Sequence, residues 1–171
     1  MGSDWKEVRD KLHDTIAAIT PSTLGFASAV NVKKYRPELS PSNLWDAYFY
    51  ATLTGGAKGI RVWAVDAASR LVYDRIPQST VSVVTTATVL AWYDVGVGGA
   101  GIELAKDHMS VVQQAIKALG ITLGGKVLRV LDWGTPSFAL ESGPLSMVAG
   151  DEGDMIRAEF QIVADNPNGT I

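Results

Sequence analysis

The fold turns on STVSVVTTATVLAWY, residues 79–93, and on the two segments after it: DVGVGGAG over 94–101 and IELAKDHMSVVQQAIKALG over 102–120. Valine and threonine dominate the first segment and aromatics close it, the composition of a strand covered on both faces. In the third, Ile102, Ala105, Met109, Val112, Ile116 and Leu119 share one side of a helix, while Glu103, Lys106 and Gln113 lie off it. Gly120 terminates that helix. A long strand, a glycine loop and an amphipathic helix therefore occupy the middle of the chain.

Towards the N-terminus, Trp5, Val8, Leu12, Ile16 and Ile19 recur at helical spacing, with Lys6, Arg9, Asp10 and Lys11 on the other side. This predicts an amphipathic helix over Trp5 to Ile19. Asp4 caps it, Glu7 completes a capping-box pattern, and Thr20-Pro21 closes it. Leu24 to Tyr35 leans towards strand, Ser40-Pro41-Ser42 marks a turn, and the aromatics of Leu44 to Thr54 favour a strand running into Gly55-Gly56. Ile60 to Val65 and Leu71 to Ile76 flank Asp66-Ala67-Ala68-Ser69. That arrangement reads as a hairpin, and a single helix through Ile60, Ala64, Ala67 and Leu71 fits the spacing nearly as well.

Towards the C-terminus, Lys126 to Trp133 reads as a strand, Gly134-Thr135-Pro136 as a turn and Met155 to Ala164 as a last strand. There Ile156, Ala158, Phe160 and Ile162 alternate with Arg157, Glu159 and Gln161, so one side is core and the other is wet or touches a neighbouring subunit. Met1-Gly2-Ser3 reads as a start segment or cloning remnant and Asn166 to Ile171 as a loose polar tail. Residues 4–165 then form one α+β domain, a mostly antiparallel sheet against which two helices lay their apolar stripes.

The 171 residues suit one domain, and folding at this size removes about 70% of the extended chain's surface. The composition, 47% hydrophobic and 19% charged with a mean hydropathy of +0.13, belongs to a globular protein slightly rich in apolar groups. With no cysteine, a disulfide framework, a thiolate zinc site and a cysteine nucleophile are excluded. His13 and His108 lack neighbours at metal-ligand spacing. A net charge of −3 and a pI near 5.3 do not match a dedicated nucleic-acid binder, and Lys33-Lys34-Tyr35-Arg36 is the one basic cluster, read as a solvated strand end. No apolar run reaches the roughly 20 residues of a membrane span, and no signal-peptide pattern opens the chain, so a soluble protein made in a cytoplasm is expected.

Gly96-x-Gly98-x-x-Gly101 matches the dinucleotide fingerprint and sits between strand and helix, as that motif requires. A Rossmann half, however, places this turn after its first strand, with an acidic residue about 20 residues further on for the ribose. Here some 80 mostly β residues precede it, and the first acid at a strand end after the helix is Asp132, 36 residues beyond Gly96. The alternative is a loop in which glycine serves positive φ and close backbone approach. No G-x-S-x-G surrounds Ser42, Ser69, Ser79 or Ser110. The acidic run Asp151-Glu152-Gly153-Asp154 lacks calcium-loop spacing. The five tryptophans fall on separate elements, as core or subunit-contact anchors do. No catalytic set, cofactor or metal is expected.

An opening helix of the Asp4-Trp5-Lys6-Glu7-Val8-Arg9-Asp10-Lys11-Leu12 kind, extended segments, a long strand from Thr80 to Tyr93, a loop, a helix from Ile102 to Leu119 and paired closing strands ending in Arg157-Ala158-Glu159-Phe160-Gln161-Ile162 follow one another. In this order of elements the chain resembles the lambda-like tail terminator proteins of long-tailed bacteriophages. The resemblance implies a small α+β subunit that joins a homo-oligomeric, six-membered ring, caps the tail tube, stops its polymerisation and offers the head-joining surface. It also implies a place in the virion at the head-proximal end of the tail, with the tail tube protein and a head-completion protein as partners. DNA would be met only in passage through the lumen, and no membrane would be involved. The chain departs from the pattern in two apparent insertions, Gly55 to Ser79 and Gly134 to Gly153. On this resemblance the expected subunit or partner contacts are the loop glycines Gly96, Gly98, Gly99 and Gly101 and the polar residues Arg157, Glu159 and Gln161. Two alternatives stand beside it: a head-completion or stopper protein at the head–tail connector, and a nucleotide-binding enzyme using the Gly96 to Gly101 loop.

Overall fold

The computed structural model describes residues 3–24, 31–35, 50–52, 58–72, 82–94, 100–121, 123, 129–141 and 155–167. Helix α1 (Asp4–Ala17) is followed by a 3-10 turn (Pro21–Leu24) and strands β1 (Asn31–Lys33), β2 (Tyr50–Thr52), β3 (Lys58–Val72) and β4 (Ser82–Asp94). Helix α2 (Ala100–Lys117) then leads to β5 (Arg129–Asp132), β6 (Ser137–Glu141) and β7 (Met155–Asn166). The described strands form one sheet in the order β1-β3-β4-β7-β5, with β2 on the start of β3 and β6 on the start of β7. Every pairing is antiparallel except the short β1–β3 ladder. The α+β class and the mostly antiparallel sheet read from the sequence are thus the observed ones.

Both helices pack on one side of the sheet. Val8, Leu12 and Ile16 of α1 and Ala105, Met109, Val112 and Ile116 of α2 meet Trp63, Val65 and Ala67 of β3, Val89, Ala91 and Tyr93 of β4, and alternate residues of β7 from Ile156 to Ala164. Fully burying each large apolar side chain is worth about 1.5–3 kcal/mol, so this layer is the main source of stability. Gly120, at φ +77°, ends α2 as its position requires.

Several expectations need correction. Residues 58–72 are neither a hairpin nor a helix: β3 runs unbroken beside β4, with Asp66 to Ser69 paired to Thr88 to Thr85. Alanine and aspartate there are weak strand formers, and pairing along β4 overrides local preference. The segment read as the insertion Gly55 to Ser79 therefore contains a central strand. The segment read as Gly134 to Gly153 contains β6, a strand absent from the expected elements. Asp4 does not cap α1. Ser3 is the N-cap, with no side-chain cap bond, and its carbonyl accepts from the backbone of Lys6 and Glu7. Asp4 is instead buried in the first turn, and Asn166 is buried at the end of β7 and not in a loose tail. The turn at Ser40 to Ser42, the start of the segment Leu44 to Thr54, the acidic run 151–154 and residues 168–171 lie outside the described residues.

Candidate assembly surface

The sheet has a second side, and β4 decides its character. The odd residues of β4 face the helices, so its even residues face away. Ala64, Leu90 and Trp92 on this outer side are buried, whereas Asp66, Ala68 and Arg70 further along are exposed. The outer side is thus closed at the end that carries Leu90 and Trp92 and open along β3 from Asp66 to Arg70, where Val84 of β4 and Asp165 of β7 are nonetheless buried. The expected burial of β4 on both faces holds at the closed end and at Val84.

Arg157, Glu159 and Gln161 all lie on this outer side of β7, in rows with Trp92, Leu90 and Thr88 respectively. Arg157 and Glu159 belong to the closed end and are partly shielded, with side chains 26% and 35% exposed, and Arg157 Nε stands 3.9 Å from Glu159 Oε2. Gln161 is exposed. The three form one polar stripe, as the period-2 alternation predicted.

At the outer edge of β7, β5 and β6 follow one another end to end. A bulge between Val130 and Asp132 leaves Leu131 53% exposed, and Leu140 on β6 is 64% exposed. Arg129 anchors β5 by donating from Nε and Nη2 to the two carboxylate oxygens of Asp165, at 3.2 and 2.9 Å. The turn between β5 and β6 is held from three directions. Asp132 Oδ1 accepts from the Gly134 amide at 2.8 Å, Gln113 Nε2 of α2 donates to the Gly134 carbonyl at 2.9 Å, and Gly134 itself packs against the Gln161 carbonyl. Phe138 reaches the core from β6, with Lys106 Nζ 5.9 Å from its ring centre.

The opposite edge is tied down by α1. Asp10 Oδ1 accepts from Arg9 Nε and Nη2 at 3.0 and 2.9 Å, and Lys34 Nζ lies 3.4 Å away. Burial on its own would raise the Asp10 carboxyl, but the bonds and charges of Arg9 and Lys34 outweigh it and hold the group below its ordinary value. His13 has Nε2 3.3 Å from the Val32 carbonyl and Nδ1 2.9 Å from Asp14 Oδ1.

Of the loop glycines, Gly101 is buried in the first turn of α2, and Gly96, Gly98 and Gly99 lie outside the described residues. The strand before this loop, β4, has antiparallel neighbours on both sides. A dinucleotide fingerprint belongs to a βαβ unit with parallel strands, so the surroundings of Gly96 to Gly101 differ from that fold.

One buried polar contact is missing from the sequence-based expectations. His108, 4% exposed on α2, bonds through Nδ1 to the Tyr93 hydroxyl at 3.0 Å, and Trp63 meets the Tyr93 ring edge-on at a centroid distance of 6.0 Å. A signal for it exists, because residue 108 falls on the face of Ala105, Met109 and Val112. Its partner lies on a strand and cannot be read from spacing. Among the described residues, no group of three His, Asp or Glu side chains is placed to hold a metal ion, and no helix is long and apolar enough to cross a membrane. No protein-family model matches the chain, and no curated protein sequence matches it.

Proposed function

We propose that this chain is a structural subunit of a phage tail, a terminator that assembles into a ring on the tail tube, ends tube growth and offers the surface to which the head joins. The observation that carries this reading is how the surfaces are divided. Both amphipathic helices are used on one side of the sheet, while the outer side keeps a polar stripe through Arg157, Glu159 and Gln161 and the far edge keeps Leu131 and Leu140 exposed. A ring subunit acts through contact area and shape, and exposed apolar groups beside polar rows are the usual material of such contacts. The resemblance to tail terminators in the order of elements read from the sequence is consistent with the same reading.

Electron microscopy of particles made without this gene tests it. Overlong, headless tails are the expected product. Tails of normal length beside unjoined or emptied heads would move the protein to the head-completion side, and unchanged particles would remove the tail reading. Charge reversal at Arg157 or Glu159 should impair ring formation while leaving the subunit folded. A raised melting temperature with NAD or a nucleotide would instead favour the enzyme alternative.

A further inference from the structure

We infer that β5, β6 and the turn between them form one flap on β7 that opens as a unit while the rest of the sheet stays folded, and that Gln113 of α2 is the latch that holds it shut. Burial separates this segment from the strands beside it. β4 and β7 bury most of their side chains, but Arg129, Leu131 and Asp132 of β5 and Ser137, Ala139 and Leu140 of β6 are all exposed. Val130, Trp133 and Phe138 reach the core, each partly buried. The ladder of β5 on β7 is also interrupted, because the bulge after Val130 shifts its register. Segments that bury few apolar groups and expose their backbone bonds to water open locally, at less than the free energy of global unfolding.

The ties of the flap differ in strength. Arg129 reaches Asp165 from a side chain that is 70% exposed, and Ser137 Oγ donates to the Glu159 carbonyl at an exposed 3.4 Å, so water competes for both. Gln113 is half-buried, and its Nε2 donates to two successive carbonyls of the turn, Trp133 at 3.4 Å and Gly134 at 2.9 Å. The Gly134 amide is held inside the turn by Asp132, so the turn moves as one piece. A single side-chain amide therefore fastens the flap to the helix layer. Leu131 and Leu140 both ride on the flap, so the latch governs how they are presented. Their use in assembly rests on the tail reading above, whereas the flap itself does not.

Native-state hydrogen exchange of the isolated chain in low urea tests the flap apart from that reading. In the wild type, the protected amides of β5 and β6 should share one opening that lies below the global one defined by β3 and β4. Gln113→Leu keeps the bulk and removes the donor, and it should speed exchange in β5 and β6 roughly five- to tenfold, the equivalent of one hydrogen bond, with β3 and β4 unchanged. Gln113→Glu keeps the shape but turns an oxygen towards the two carbonyls, so at neutral pH it should open the flap further still. The same change at the exposed neighbour, Gln114→Leu, should leave all of these amides as they are. Exchange of β5 and β6 only together with β3 and β4 in the wild type would overturn the inference. So would Gln113→Glu exchanging no faster than the wild type, which would assign the side chain a role in packing alone.

Discussion

Asn166 Nδ2 donates to Asp4 Oδ2 at 3.0 Å inside the protein, joining the last residue of β7 to the first of α1 across 162 positions of sequence. Both side chains are buried, and the carboxylate sits where the unpaired amides of a helix start favour negative charge. The contact holds α1 in register with the end of the sheet. Asn166→Ala removes one partner and leaves a buried acid with fewer donors, which costs about 1–3 kcal/mol. Urea unfolding should show the midpoint falling with no change in slope. A loss below a few tenths of a kcal/mol would mean that water replaces the amide freely.

Gly134 and Gly120 share a left-handed backbone but not an environment. At Gly134, φ is +72° and a Cβ would strike the Gln161 carbonyl, whereas at Gly120, φ is +77° and nothing lies within 4 Å of the added atom. Gly120→Ala should cost about 1–2 kcal/mol, the penalty of the conformation alone. Gly134→Ala adds a backbone clash and should cost clearly more, with loss of the β5–β6 turn. Equal melting temperatures for the two variants would contradict this account.

The parts legible in the sequence are those with long, regular patterning. Helices α1 and α2 and the alternation along β7 each carry a period that only one element satisfies, and β4 has a long run of Val and Thr whose composition suits a strand. β3 is obscured because Asp66-Ala67-Ala68-Ser69 has the composition of a turn or helix, and its strand state depends on β4 lying alongside. β6 is five residues long and obtains its order from β7, so little in its own sequence announces it. For the candidate surface, the stripe of Arg157, Glu159 and Gln161 can be placed from alternation. The division of the outer side into closed and open ends cannot, since alternation places Leu90 and Trp92 on that side without saying that they are buried there. The pairs Asp4–Asn166 and Tyr93–His108 are hidden because each joins two elements whose proximity only the sheet order determines.

Tyr93, near the end of β4, and His108, midway along α2, form a buried hydrogen bond between the two elements that the glycine loop connects. Tyr93→Phe keeps the ring and its edge contact with Trp63 but removes the hydroxyl. The expected loss is about 1–3 kcal/mol, because a buried imidazole nitrogen loses a partner. Hydrogen exchange should show the extra opening concentrated around His108 in the middle of α2 and at the end of β4. Uniform acceleration over the whole sheet would argue against a local fastening role.

Acid should loosen the β1 edge before the rest of the protein. Arg9 and Lys34 hold the Asp10 carboxyl below its ordinary value, so Asp10 takes up its proton at lower pH in the folded chain than in the unfolded one. A lowered folded value means that the contribution is fully present above the unfolded value of about 3.9 and disappears as the pH falls through the folded one. The group is partly open to water, so the effect is modest, a few tenths to about 1 kcal/mol. At neutral pH, Asp10→Asn should therefore be slightly less stable than the wild type, and the gap should close below about pH 4, near the unfolded carboxylate value. Salt should narrow it as well, because the pair is near the surface. Urea midpoints for both proteins between neutral and acid pH decide the matter. A gap that stays constant with pH would show that the side chain acts through its shape and not through its charge.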